Sequence, residues 1–299
     1  MIAAIVVGFF PDLPTLDNLL LRLLQQVDLL VFVDNGAGEN FLRDHPAERA
    51  QVSYQDLGGN KGLGYALNVG FELAIKHGCD YVATFDQDSN PPESMLAGLL
   101  AVHQKLDAQG VNCAAVGPVF FDYREGKKVS FPFYKEINRH ICVVPEAQTQ
   151  ADVVEVDVLI TSGMLIKSAV WAAGVKYDAG LFVDYTDTDW CFRARAAGYS
   201  LYASFEQEMG HALSEAPPLR LLGLNFFTYS PLRRYYYFRN TVLFVRQSYV
   251  STTWRRRLVT GILVRFLVSL ISDEKKIASL RMMSRGIKDG IKRNDGAFH

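Results

Sequence analysis

Cysteine is scarce and scattered. The four residues stand at 79, 113, 142 and 191, with no C-x-x-C pair and no tight cluster. Zinc-site spacing is therefore absent and nothing resembles a disulfide framework, so a reducing cytoplasm is the expected compartment. Excess charge is missing too. The 31 Lys and Arg against 32 Asp and Glu leave a formal net charge of −1, which argues against a general nucleic-acid binder. Long apolar runs are wanting: the one segment open to a membrane-spanning reading, residues 258–272 (LVTGILVRFLVSLIS), contains Arg265 and falls short of the ~20 apolar residues a span needs. Met1–Gly8 has no basic n-region and is expected to be a first strand and not a signal peptide. Internal repeats and low-complexity tracts are absent. What is there is 299 residues, 49% of them apolar, enough for one large α/β domain or a domain with a substantial appendage.

The near-continuous apolar run Ile2–Val7 suits a strand covered on both faces. Leu16, Leu19, Leu20, Leu23 and Leu24 then recur at helical spacing. Strands are expected at 29–33, 52–54, 81–85 and 114–119, and helices at 65–76 and 93–108. This βαβ alternation implies an α/β fold with a mostly parallel sheet and helices on both faces. Beyond about residue 120 the pattern loosens. Strands are expected at 127–133 and 153–159, a turn at Ser162 leads into another, and a helix at 187–197 ends at Gly198. A short strand at 199–203 follows. From Leu219 the sequence reads as helical, aromatic and basic, so the expected division is residues 1–217 and 218–299, with the shift near Pro217 and Pro218. Arg255, Arg256 and Arg257 precede the 258–272 segment and a basic stretch follows it. That suits a core or oligomer-interface helix, or a basic amphipathic segment resting on an anionic membrane face.

Several motifs carry chemistry. The strand Tyr81–Phe85 ends in Asp86-Gln87-Asp88-Ser89-Asn90 before Pro91 and Pro92. Two carboxylates spaced two apart in an extended segment point the same way, and a pair of hard oxygens suits Mg²⁺ or Mn²⁺ shared with substrate phosphates. An isolated D-x-D is more often a solvated turn; the rest of the chain shifts the balance. In Val31-Phe32-Val33-Asp34-Asn35-Gly36 an acid at a strand's carboxyl end can accept bonds from a base or ribose. Gly58-Gly59-Asn60-Lys61-Gly62-Leu63-Gly64 leads into a helix whose free N–H groups favour an anion, yet it matches neither the Walker nor the G-x-G-x-x-G pattern. Asn68 falls mid-helix, where a ligand or a packing bond must hold it. Asp184, Asp187 and Asp189 cluster within six residues beside aromatics. Asp187 suits a general base in an apolar surround, and Asp189 either joins the site or pairs back to Arg193. His211 could complete a metal site or be structural. Arg233 to Asn240 reads as a packed helix with a cationic edge, or as one that brings Arg239 or Arg234 to a diphosphate or an acceptor phosphate.

Taken in order, V-D-N-G, G-G-N-K-G-L-G-Y-A-L-N, F-D-Q-D-S, S-G-M-L-I, D-Y-T-D-T-D-W-C-F-R, a late His and Y-Y-F-R-N resemble the family-2 glycosyltransferases of the GT-A fold. The likeness is closest to their bacterial rhamnosyltransferase branch. It implies a Rossmann-like sheet with a helical C-terminal appendage, and nucleotide or donor contacts from Asp34, Asn35, Gly59, Asn60, Lys61, Gln87 and Arg239. It further implies Mg²⁺ or Mn²⁺ on Asp86 and Asp88 with His211 close by, and Asp187 as the catalytic carboxylate. Thr186 stands where the family's Glu-Asp pair has Glu, which leaves Asp184 or Asp189 to substitute in part. Ser162 and Gly163 would line the acceptor side. The expected activity is inverting, metal-dependent transfer, from dTDP-L-rhamnose to a cell-surface polysaccharide or lipid-linked glycan. The expected location is the cytoplasm or the cytoplasmic face of the inner membrane, with a homo-oligomer as a further option and no nucleic-acid partner. Competing readings are a UDP-sugar transferase of the same fold, a nucleotidyltransferase, and a non-catalytic sugar-nucleotide binder. The nucleotidyltransferase would need a basic glycine-rich loop that Val6-Val7-Gly8-Phe9-Phe10 does not offer.

Overall fold

A computed structural model describes residues 1–36, 51–124, 127–144, 152–210, 219–221, 224–226, 229–272 and 275–298. The first half runs β1 (Ile2–Gly8), α1 (Leu13–Leu24), β2 (Leu29–Asp34), β3 (Val52–Asp56), α2 (Leu63–Lys76), β4 (Tyr81–Asp86), α3 (Met95–Ala108) and β5 (Cys113–Arg124). Then come β6 (Lys127–Ser130), β7 (Phe133–Ile137), β8 (His140–Val144), β9 (Val153–Val156), β10 (Met164–Lys167), α4 (Ser168–Ala172), α5 (Thr186–Ala196) and β11 (Ser200–Gly210). The chain continues through β12 (Leu219–Leu221), β13 (Leu224–Phe226), α6 (Pro231–Val245), α7 (Thr252–Ser272) and α8 (Lys276–Lys292).

The main sheet has the order β3-β2-β1-β4-β10-β5-β11-β9, with β6 paired to β5. From β3 to β4 the strands are parallel, whereas β10 runs antiparallel to both its neighbours. Alternation sorts the strand residues between two cores. Ala3, Ile5, Val7, Val31 and Val33 pack with Leu67 and Phe71 of α2. Ala4, Val6, Leu30 and Phe32 pack with Leu16 and Leu19 of α1 and Leu96 and Leu99 of α3. Each fully buried Val, Leu, Ile or Phe among them contributes about 1.5–3 kcal/mol. Asp12 starts α1 by accepting from the Thr15 amide at 3.1 Å, an N-cap that satisfies one free donor of the first turn.

Three stretches differ from expectation. The run 127–133 divides at Pro132 into β6 and β7, because proline has no amide for the ladder. The short strand expected at 199–203 extends as β11 to Gly210, past an irregularity between Ser204 and Glu208, and touches Asn90 in an isolated bridge. The region after Leu219 opens on the β12–β13 hairpin and not on a helix, since Leu-Arg-Leu and Leu-Asn-Phe alternate with a period of two.

The boundary expected near 217 falls among residues outside the description. The helices after residue 229 share a core with α5, where Leu181, Tyr185 and Phe192 pack against Phe244, Val250 and Trp254. Buried Asp157 ties them further by accepting from Trp254 Nε1 at 2.8 Å and the Glu136 amide at 2.9 Å, and by pairing with Arg195. Helices α6 and α8 approach closely at Gly286, where a Cβ would stand 2.5 Å from the Tyr235 carbonyl oxygen. Among the described residues no helix is long and apolar enough to cross a membrane.

Candidate active site

Strand register sets the site's edge. Gly8 of β1 lies opposite Asp34 of β2, and Val7 opposite Asp86 of β4, so both acids stand where open α/β sheets bind ligands. Asp34 is buried: Oδ2 accepts from the Tyr54 hydroxyl at 2.6 Å and Oδ1 from the Gly36 amide at 2.9 Å. Burial, then this carboxylate, pushes the Tyr54 hydroxyl up and keeps it a donor. Asn35 joins the first motif to the glycine turn. Its Oδ1 accepts from the Lys61 amide at 2.7 Å and its Nδ2 donates to Asn60 Oδ1 at 3.2 Å. Asn60 Oδ1 also accepts from the Gly62 amide at 2.9 Å. A Cβ at Gly59 would meet nothing within 4 Å, so a ligand has room beside that backbone, and the Lys61 side chain is exposed. At Gly62, φ is +92° and a Cβ would sit 2.9 Å from Phe182 backbone atoms; only glycine fits.

The strand ending in Asp86 does not remain extended. Residues 87 and 88 turn, with the Ser89 amide donating to the Asp86 carbonyl at 3.1 Å. The two carboxylates therefore sit on either side of a turn and strand alternation does not set their directions. Asp88 is exposed and Asp86 half-buried. Gln87 grips the backbone of Phe9, accepting from its amide at 2.7 Å and donating to its carbonyl at 3.0 Å. This bond pair accounts for Gln87 as a support of the site's rim. Phe9 and Phe10 are exposed there, their rings edge to face at 4.8 Å, and Phe9 lies against Gly36.

Ser162 and Gly163, expected on the acceptor side, are buried. Ser162 Oγ hydrogen-bonds Ser89 Oγ, and the Gly163 amide donates to the Thr84 carbonyl at 2.7 Å. Both brace the carboxylate turn and line no surface. Thr84 Oγ1 donates to the Thr161 carbonyl at 2.5 Å, and the Thr161 amide donates to Asp187 Oδ2 at 3.3 Å. Asp187 is thereby linked to the strand that carries Asp86. Its Oδ1 accepts from the Thr188 amide at 2.6 Å. Burial raises the Asp187 pKa, the Thr188 and Thr161 amides pull it back, and Asp184 adds a smaller upward push.

The segment before α5 is strained. Phe182, Asp184 and Tyr185 have φ of +67°, +59° and +66°, a region costly to non-glycine residues. Two neighbours on α6 hold it. Asn240 Nδ2 donates to the carbonyls of Leu181, Val183 and Asp184 at 2.8, 2.6 and 3.0 Å. Arg239 Nη2 donates to Gly180 and Leu181 carbonyls at 3.1 and 2.8 Å, and Nη1 to the Gly296 carbonyl at 2.5 Å. The Gly296 amide returns a bond to the Gly180 carbonyl at 2.6 Å.

Arg239 is fully buried with its donors on backbone oxygens and Asn240, and Tyr236 stacks on it at 4.9 Å. It is a loop clamp and not a diphosphate contact. Arg234 is buried as well, donating to Ser269 Oγ at 2.6 Å. Arg233, not singled out from sequence, is the member of this run that faces the carboxylates. It pairs with Asp184 at 3.1 Å and feels the charge of Asp86.

Asp189 is buried between Arg193 Nε and the Tyr249 hydroxyl, each at 2.5 Å. It lines a cavity of about 200 Å³ with Asp178, Arg246 and Arg293. Both its oxygens are engaged there, so the pairing to Arg193 accounts for it and an acceptor role does not. Asn68 is held by packing bonds: Nδ2 donates to the Tyr177 carbonyl and Oδ1 accepts from the Tyr177 amide, at 2.9 and 3.0 Å. His211 lies outside the described residues.

No group of three or more metal-ligating side chains converges among the described residues. Asp86 and Asp88 still form a donor set that fits Mg²⁺ or Mn²⁺, which take one or two carboxylates and complete their shell with phosphates and water.

The model for glycosyl transferase family 2 matches residues 4–146. The dTDP-rhamnosyl transferase RfbF of Shigella flexneri is 30% identical over 295 residues, covering 97% of this chain and 95% of that one. The fold is shared with S. aureus TarS in complex with UDP-GlcNAc, at TM-score 0.61 and 14% identity over 98% of this chain and 81% of that one. GalNAc-T7 with UDP, GalNAc and Mn2+ aligns at TM-score 0.60 and 13% identity, over 98% of this chain and 57% of the other.

Proposed function

Because the chain belongs to glycosyl transferase family 2 and has the GT-A fold, we propose that it transfers L-rhamnose from dTDP-L-rhamnose, with inversion, to a hydroxyl of a cell-surface polysaccharide or lipid-linked glycan. The observation that carries this reading is the link from Asp187 through Thr161 and Thr84 to the strand that ends in Asp86. It supports reading half-buried Asp187 as a base beside the donor edge. The rhamnosyl choice is supported by the relative that matches nearly end to end.

In this reading the edge formed by Asp34, Asn35 and the Gly59–Lys61 turn receives the nucleotide, with the Lys61 amine and the Arg233 guanidinium available to the diphosphate. Asp86 and Asp88 would hold Mg²⁺ or Mn²⁺, which supplies neutralisation of the charge on the departing diphosphate. Asp187 takes the proton of the acceptor hydroxyl as that oxygen bonds to the anomeric carbon. The bond from that carbon to the diphosphate oxygen breaks on the opposite face, and dTDP leaves with the electron pair. The amides of Thr188 and Thr161 hold the carboxylate oriented through this step. Its raised pKa makes it a stronger base than a solvated aspartate.

Donor-dependent thermal shift and nucleotide release test the proposal, with and without Mn²⁺, across dTDP-rhamnose, UDP-glucose, UDP-galactose, UDP-N-acetylglucosamine and GDP-mannose. Binding to the folded state alone raises the melting temperature. A metal-dependent shift with dTDP-rhamnose, and dTDP release on adding acceptor glycan, is the expected result. A shift with a UDP-sugar and none with dTDP-rhamnose would discard the rhamnosyl donor and keep the family.

A further inference from the structure

Among the described residues, the helices after residue 229 leave an apolar face uncovered. On α7, Val259, Leu263, Leu267 and Leu270 recur at three- and four-residue spacing on one side of the helix, and are 43, 61, 60 and 37% exposed. The opposite side is packed: Trp254, Ile262 and Val268 are buried. Arg265, which interrupts the run in sequence, turns inward over the Tyr237 ring at 4.9 Å. The outer stripe is therefore not broken by it. The next helix opens with Ile277, also exposed. From Val259 to Leu270 the stripe spans about 16 Å of helix. Single exposed leucines are ordinary, but a continuous row marks a docking face.

Charge identifies what it docks on. Helix α7 contains no acidic residue. Exposed Arg256 and Arg257 stand at its start, and exposed Lys275 and Lys276 just beyond its end. From residue 229 to 299 the chain carries fifteen Lys and Arg against four Asp and Glu, whereas the preceding part carries sixteen against twenty-eight. The near-zero net charge thus conceals a strongly basic helical end. We propose that α7 lies on the surface of an anionic lipid bilayer, its Val259–Leu270 stripe in the headgroup boundary and its flanking cations on the lipid phosphates. A bilayer supplies apolar and anionic partners side by side along the helix. A second copy of this chain would not: in a two-fold pair the same basic surface faces itself.

Flotation of the full chain with vesicles tests this. Binding is expected to phosphatidylcholine mixed with phosphatidylglycerol, and not to phosphatidylcholine alone. The paired variant Leu263→Ser/Leu267→Ser should lower the bound fraction roughly tenfold or more, since each buried CH₂ adds to partition. Lys275→Gln/Lys276→Gln should lower it several-fold, and about 1 M salt should do the same by shortening the screening length to about 3 Å. All four residues are exposed, so thermal unfolding should be unchanged and a lost signal would not reflect misfolding. Equal flotation of wild type and the leucine variant would overturn the proposal, as would equal binding to both vesicle types or no binding at all. A concentration-dependent dimer abolished by the leucine variant, without vesicle binding, would assign the face to a second copy instead.

Discussion

Arg233 donates from Nε and Nη2 to one oxygen of Asp184, at 3.3 and 3.1 Å, while the other oxygen of Asp184 is buried without a partner among the described residues. The Arg233 side chain is 53% exposed, and the Tyr229 ring lies under its guanidinium at 4.8 Å. Burial raises the Asp184 pKa and Arg233 pulls it back. Asp184 therefore holds in place a cation that keeps free donors toward the carboxylate edge.

Arg233→Ala should raise the donor KM about ten- to a hundredfold, the loss of a charge-assisted bond of about 1.5–3 kcal/mol. Arg233→Lys should recover only part of this, because a point charge cannot form the planar fork. Initial rates against donor concentration measure both. An unchanged donor KM in Arg233→Ala would remove the residue from the binding edge.

Asp187 should leave its mark on pH dependence. A base acts only when ionised, so the rate should fall on acidification through a pKa above the roughly 4 of an ordinary aspartate. Stability runs the other way. With its folded-state pKa raised, Asp187 favours the fold most below the ordinary carboxylate range, and that contribution is lost as pH rises through the raised value. Asp187→Asn should cut transfer about 10²–10⁴-fold and keep donor affinity. Wild-type turnover in that variant would place the base elsewhere.

Asn240→Ala should loosen the strained loop. The Val183 and Asp184 carbonyls lose this donor while Leu181 keeps Arg239, and a buried acceptor left unsatisfied costs about 1–3 kcal/mol. The expected pattern is a fall in denaturation midpoint and a kcat drop of roughly tenfold or more. An unchanged midpoint and kcat in the variant would refute the clamp.

Phe10 is 78% exposed at the rim and suits a stacking platform for the donor's base. Phe10→Ala should weaken dTDP binding about tenfold, a stacking contribution of about 1–3 kcal/mol, and leave thermal unfolding unaltered. Calorimetric titration with dTDP reads this directly. Equal affinity in the variant would exclude the stack.

The parallel strands were legible because an apolar run that ends in Asp34 or Asp86 is a strong local signal, and burial on two faces demands it. The turn at Gln87 was not, since the bond from the Ser89 amide to the Asp86 carbonyl leaves no periodic trace. Arg239 shows the deeper limit. Its partners at 180, 181 and 296 lie 57 to 59 residues away, so local sequence displays a cation and not the carbonyls that claim it. The Tyr235-Tyr236 pair and the adjoining Asn240 were the available hint that this arginine is enclosed. Asn68 was readable as a held residue for the opposite reason: an asparagine mid-helix is unfavourable enough to need an explanation. Ser162 and Gly163 were placed on the acceptor side because a motif shows which residues gather and not which way they face, whereas the pairing of Asp189 back to Arg193 was one of its two readings and is the one found.

The bonds between Gly296 and the Gly180 carbonyl and Arg239 guanidinium have a consequence in time. The strands that bear Asp34 and Asp86 can pack as soon as the first part of the chain leaves the ribosome, since domains form from the amino end as synthesis proceeds. The loop before Asp187 lacks part of its clasp until residue 296 has been made. Donor binding should therefore appear before turnover during synthesis. A nascent chain halted near residue 290 is expected to hold the sugar nucleotide and leave it intact.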